Sequence, residues 1–103
     1  MTEANLMRAI MVALSADGHF VARANVGLFF TADGRPVKTG LPKGFSDLFG
    51  HRCSDAKAFY LEVKTATGRA RPEQLAFIAA MQKRGALAAI VRSVEDARRA
   101  LAG

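Results

Sequence analysis

An α/β fold, a mixed central sheet flanked by helices, is predicted by three features of this chain. The segment Phe59-Tyr60-Leu61-Glu62-Val63-Lys64 is mostly apolar and short, the pattern of a buried strand. Pro72 opens a helical run that Gly85 closes, and the almost wholly apolar Ala86 to Val91 follows at once. Strand, helix and apolar strand in that order form a βαβ crossover, which makes the later strand parallel to the earlier one.

The elements follow in order. Leu6, Met7, Ile10 and Leu14 recur at helical spacing, so a first helix runs from Thr2 to about Ala16, where Asp17-Gly18 ends it. Glu3 stands one turn before Met7 on that stripe; spacing alone assigns it to the helix dipole rather than to an inward-aimed role. His19 to Ala24 and Gly27 to Thr31 read as strands, and Asp33-Gly34 turns the chain into a return strand at Arg35 to Lys38. Gly40-Leu41-Pro42-Lys43-Gly44 is a loop. Asp47 to Gly50 and Ala58 to Thr65 are the two central strands, joined by an exposed polar connection at His51 to Lys57. In the second helix Leu75, Ile78 and Met81 form the apolar stripe with Ala79 beside it. Ser93 and Asp96 make a capping pattern for a last helix ending near Leu101.

At 103 residues the chain is one domain with a real core and little room for insertions. Its apolar runs are too short to span a bilayer, and the N-terminal residues lack a basic region with a cleavage site. Cys53 is alone, so no intrachain disulfide forms and a cytoplasmic setting is the default expectation. Fifteen Lys and Arg against nine acids give a net charge of +6. Between Lys64 and Arg84 lie five basic residues (Lys64, Arg69, Arg71, Lys83, Arg84) and a single acid, Glu73. Arg69 and Arg71 fall in a loop directly after the central strand, which points to a polyanionic partner rather than a membrane.

Alternation sends Tyr60, Glu62 and Lys64 to one side of their strand. A carboxylate and an ammonium in so apolar a strand are costly to bury unless something pairs with them. Asp47 supplies a second carboxylate on the neighbouring strand. Two carboxylates about 4 Å apart repel by about 4 kcal/mol at an effective dielectric of 20, so such a site takes up a cation or keeps a proton. Carboxylates with a lysine are the equipment for holding a divalent metal and steering a water in phosphodiester hydrolysis. In an arbitrary protein Glu62 and Lys64 would be an ordinary ion pair on a solvated sheet face; Asp47 and the basic loop argue otherwise. His51 and Cys53 lack the second pair of ligands that zinc needs, and Gly40 to Gly44 lacks the spacing of a nucleotide phosphate loop.

Six blocks carry a wider likeness: Glu3 in the opening helix, Arg23-Ala24-Asn25-Val26-Gly27, Gly40 to Leu48, Leu61-Glu62-Val63-Lys64, Arg71-Pro72-Glu73-Gln74 and Ala89 to Ser93. In this order they resemble the virus-type replication-repair nucleases (VRR-NUC) of the restriction-endonuclease-like superfamily, whose motif is written PD-(D/E)XK. Ser46 stands where that motif has proline. The resemblance implies the αβββαβ core of that superfamily and a Mg²⁺- or Mn²⁺-dependent endonuclease acting on DNA. It assigns Asp47, Glu62 and the Val63 main-chain carbonyl to the metal, Glu3 to the metal's water shell, Lys64 to the attacking water or the phosphorane charge, and Gln74 to orienting that water or a phosphate oxygen. Lys43, Arg69 and Arg71 become DNA contacts, with Arg23, Arg35 and Lys38 extending the surface. Stand-alone viral relatives act as homodimers on four-way (Holliday) junctions, which implies a phage or prophage setting and the bacterial cytoplasm. Val26 to Phe30, where Leu28, Phe29 and Phe30 are consecutive, is the candidate dimer surface, although such a run is also normal for a strand buried on both faces. Flap or nicking nucleases and a non-catalytic DNA-binding module are the competing readings, and metal-dependent cleavage separates the last from the rest.

Overall fold

Thr2 starts the first helix by accepting the Asn5 N–H on its Oγ1 at 3.1 Å. In the computed structural model, which describes residues 1–103, α1 (Glu3–Ala16) buries Leu6, Met7, Ile10 and Leu14, the stripe expected from spacing. The chain continues through β1 (Phe20–Arg23), β2 (Leu28–Phe30), β3 (Pro36–Lys38), β4 (Leu48–His51) and β5 (Ala58–Val63). After α2 (Pro72–Lys83) come β6 (Leu87–Val91) and α3 (Val94–Ala102).

Four strands form the main sheet in the order β1-β4-β5-β6. β4 runs antiparallel to both its neighbours, β1 and β5, and β6 lies parallel to β5 with Val63 opposite Val91. The crossover through α2 is therefore the expected one. Alternation along β5 places Phe59, Leu61 and Val63, all fully buried, against the face covered by α1 and α3. Each such side chain stabilises the fold by roughly 1.5–3 kcal/mol relative to leaving it exposed. α3 is capped as its sequence predicts: Ser93 Oγ accepts the Asp96 N–H at 3.0 Å while Asp96 accepts the Arg92 N–H. No helix is long and apolar enough to cross a membrane.

On the other face of the sheet α2 packs differently from expectation. Ile78 is its buried residue and Met81 is half-buried, but Leu75 is 51% exposed and Ala79 is also exposed. The inward stripe is rotated to include Gln74 and Phe77. Phe77 drives this by joining Phe45 at 4.7 Å and Tyr60 at 5.6 Å between ring centroids. Phe49 meets Phe45 edge-on from β4.

The β2–β3 hairpin stands apart from the main sheet, and Leu28, Phe29 and Phe30 are 50–67% exposed, which removes the alternative of a strand buried on both faces. The connection after β4 is exposed as expected, except at the half-buried Arg52. Arg52 reaches back from it to donate to the Leu101 and Gly103 carbonyls, each at 2.7 Å, while also pairing with Asp55 at 2.8 Å.

Candidate active site

The order of the strands brings the two carboxylates together. β4 begins at Leu48, which pairs with Leu61, so the Val63 N–H lies past the start of β4 and has no strand partner there. Asp47 Oδ2 accepts that N–H at 2.8 Å. This bond pins Asp47 beside the residue that follows Glu62. Ser46 is fully buried, and its hydroxyl donates to the Leu48 carbonyl at 2.9 Å, fixing the entry into β4. A hydroxyl thus anchors the turn at the position where the motif label has proline.

Glu62 is 1% exposed, and Lys64 on the same side of β5 is 9% exposed. Their charged atoms are 3.9 Å apart, an ion pair at the edge of contact. Gln74 supplies the stronger bond, donating from Nε2 to Glu62 Oε1 at 3.0 Å. The capping geometry of α2 dictates which end of the amide does this. Gln74 Oε1 is occupied in accepting the Arg71 N–H at 2.8 Å, so the amine end turns toward Glu62.

Glu62 Oε2 is left buried with no hydrogen-bond partner. Burial first, then the neighbouring Asp47 carboxylate, push the Glu62 carboxyl up to about 8, with Lys64 opposing and Glu3 adding to the effect. A single lysine does not offset both carboxylates. No group of three or more His, Cys, Asp or Glu side chains gathers in the chain. That is compatible with Mg²⁺, which keeps several waters beside one or two carboxylates. The donor set is all hard oxygen, and an orphaned buried carboxylate oxygen is among it. These residues fit such an ion.

In front of Asp47 opens a cleft of about 310 Å³. Arg23, Lys43 and Arg71 line it with Asp47 and Gln74, and none of the three cations has an ion-pair partner. Gly44 makes the wall between the loop and α2 possible: at φ +89°, a Cβ there would stand 2.4 Å from the Glu73 carbonyl oxygen.

The remaining expected residues are more dispersed. Glu3 is exposed, not on the buried face, and affects Glu62 only through its charge. Arg69 is exposed on the loop after β5, outside the cleft lining. Lys38 lines a separate groove at the base of the hairpin, where Lys43 also reaches. Arg35 sits at the hairpin turn, ion-paired with Asp33 at 3.1 Å. Phe45 and Phe29, which line the cleft, were not foreseen as part of the site. For Phe45 the signal was its place in the block Gly44-Phe45-Ser46-Asp47.

The VRR-NUC domain family matches residues 34–95, the stretch from the hairpin turn to the start of α3. One similar solved structure is a VRR-NUC domain with 21% identity and a TM-score of 0.66, aligned over 94% of this chain and 90% of that one. Another, a VRR-NUC domain protein, shares 16% identity with a TM-score of 0.59 over 93% of this chain and 81% of its own. No curated protein sequence matches the chain. With the family match covering more than half of its length, the chain belongs to the VRR-NUC domain family, a family of nuclease-type domains.

Proposed function

We propose that this chain is a metal-dependent endodeoxyribonuclease that hydrolyses phosphodiester bonds in branched DNA, four-way junctions foremost, in viral or prophage replication or repair. The observation that carries the reading is the buried Glu62, with one oxygen unpartnered, beside Lys64 and beside Asp47, which itself lines a cleft holding the unpaired Arg23, Lys43 and Arg71. A structural ion pair would satisfy its atoms; this arrangement leaves a position for a cation and a path for a phosphate.

Asp47, Glu62 and the Val63 carbonyl would hold Mg²⁺ or Mn²⁺, with Glu3 acting through water. When bound, the ion polarises the phosphate and lowers the pKa of a coordinated water. Lys64 Nζ holds the attacking water or stabilises charge on the pentavalent phosphorus, while Gln74 orients the water or a phosphate oxygen. The water oxygen forms the new bond to phosphorus and gives up a proton to solvent, the opposite ester bond breaks, and the departing oxygen takes up a proton from solvent. Arg23, Lys43 and Arg71 neutralise the strand in the cleft. Arg69, Arg35 and Lys38 extend the contact outward, less tightly.

A second copy completes the assembly, because two-fold symmetry presents two active sites to a junction. The exposed apolar hairpin is the surface offered for it.

The test is cleavage of labelled four-way junction, flap, duplex and single-stranded DNA in Mg²⁺, Mn²⁺ or EDTA, beside Lys64→Ala. Paired cuts in the junction, abolished by EDTA and reduced at least about 10²-fold by Lys64→Ala, are expected. Cutting of flaps but not junctions would keep the nuclease and discard the resolvase. Binding without cleavage in any metal would leave only a DNA-binding module.

A further inference from the structure

The cleft contains more than hydrolysis requires. Phe29 is half exposed and takes part in none of the aromatic pairs, yet it lines the cleft with Phe45, Asn25 and the three free cations. Phe45 is its opposite in packing. Its ring is held by Phe49, Tyr60 and Phe77 at centroid distances of 4.7–5.9 Å. One aromatic is therefore packed against other rings and the other is not, at the same opening.

Strand alternation shows that Phe29 belongs to the cleft and not to the outer face of the hairpin. Phe29 pairs with Val37, whereas Leu28 pairs with Lys38 and Phe30 with Pro36. Leu28 and Lys38 line the separate groove at the hairpin base. The two faces of β2 thus serve different surroundings.

We infer that this cleft is a subsite for one unpaired nucleotide beside the scissile phosphate, its base against Phe29 and Phe45 and its phosphates among Arg23, Lys43 and Arg71. The inference rests on the nuclease reading above and narrows its substrate class to branched DNA carrying an unpaired nucleotide at the branch. A base inside a duplex has both faces covered by its neighbours and cannot stack on a side chain without leaving the helix. The cleft volume, about 310 Å³, is at the low end for small-ligand pockets and far too small for a duplex. Aromatic rings with cations along a groove are the general means of holding single-stranded DNA.

The experiment measures binding in EDTA, so that nothing is cut, to three labelled DNAs: a paired duplex, the same duplex with a one-nucleotide bulge, and that bulge with an abasic residue. Wild-type protein should bind the base-bearing bulge about ten-fold tighter than the abasic one, the lower range of what one stacked base contributes. In Phe29→Ala that ratio should fall to about one, and in Phe29→Tyr it should persist. With 2-aminopurine as the bulged base, binding to wild type should quench its fluorescence. Equal wild-type affinity for the two bulges, or a ratio unchanged in Phe29→Ala, would overturn the subsite while leaving the nuclease reading intact. Absence of binding to all three DNAs would instead remove the nuclease reading and this inference with it. Phe29 lies outside the core cluster, so its variants should keep the wild-type melting curve; if one does not, the wild-type ratio and the fluorescence decide alone.

Discussion

Glu62 links stability to pH in a direction opposite to most surface acids. Its folded pKa is about 8 against an ordinary value of 4.5, because burial and Asp47 disfavour the ionised form. The folded protein therefore holds a proton that the unfolded chain releases. Stability falls as pH rises from about 4.5 to about 8 and levels above that window. In EDTA, Glu62→Gln should melt at a higher temperature than wild type at pH 8, with the difference fading toward pH 5. A difference independent of pH would mean that Glu62 is not the group responsible. Adding Mg²⁺ at pH 8 should raise the wild-type melting temperature and leave Asp47→Asn nearly unmoved. The neighbourhood of this site was legible from residues alone, since the apolar pattern predicts β4 and β5, with Glu62 on β5 and Asp47 and Lys64 one residue outside the two strands. The hydrogen bonds that assemble them were not. That Asp47 takes the unpaired Val63 N–H depends on where β4 starts, and no periodicity reports this.

Among the elements, α1, β5, β6 and α3 follow their sequence patterns closely, whereas α2 and the hairpin do not. In α2 apolar residues occur on more than one face, so Leu75 and Phe77 are equal candidates for burial until the aromatic cluster selects Phe77. The hairpin reads as strands, but nothing local tells whether those strands join the main sheet. The loop before β4 has a firmer requirement. Gly44 combines φ +89° with an approach to the Glu73 backbone that no side chain fits. Gly44→Ala should cost on the order of 1–3 kcal/mol and push the loop from α2. Because that displacement widens the wall that carries Lys43 and Phe45, cleavage should fall along with stability. Urea unfolding and cleavage assays on the same preparation check the coupling. Full activity with unchanged stability would show that the loop tolerates the added carbon.

As a whole molecule the chain measures 44 × 30 × 27 Å, with a hairpin whose apolar side chains cover nothing of its own core. Leu28 and Phe30 share one face of β2 and are 51% and 67% exposed. Apolar surface of this kind is stabilised when a second copy covers it, and a two-fold pairing of hairpins keeps both clefts open because Phe29 faces the other way. Wild type should therefore sediment as a dimer. Phe30→Asp, which places a charge at the centre of the apolar face, should sediment as a monomer without loss of melting temperature, since Phe30 lies outside the core cluster. On a four-way junction the monomer should leave unpaired nicks where the dimer leaves paired cuts. Binding of both forms should weaken steeply with salt, given the net charge of +6, but the dimer's slope should be the steeper because twice as many cations meet phosphate. A monomeric wild type that still makes paired cuts would exclude the hairpin as the source of symmetry and require the DNA itself to bring two molecules together.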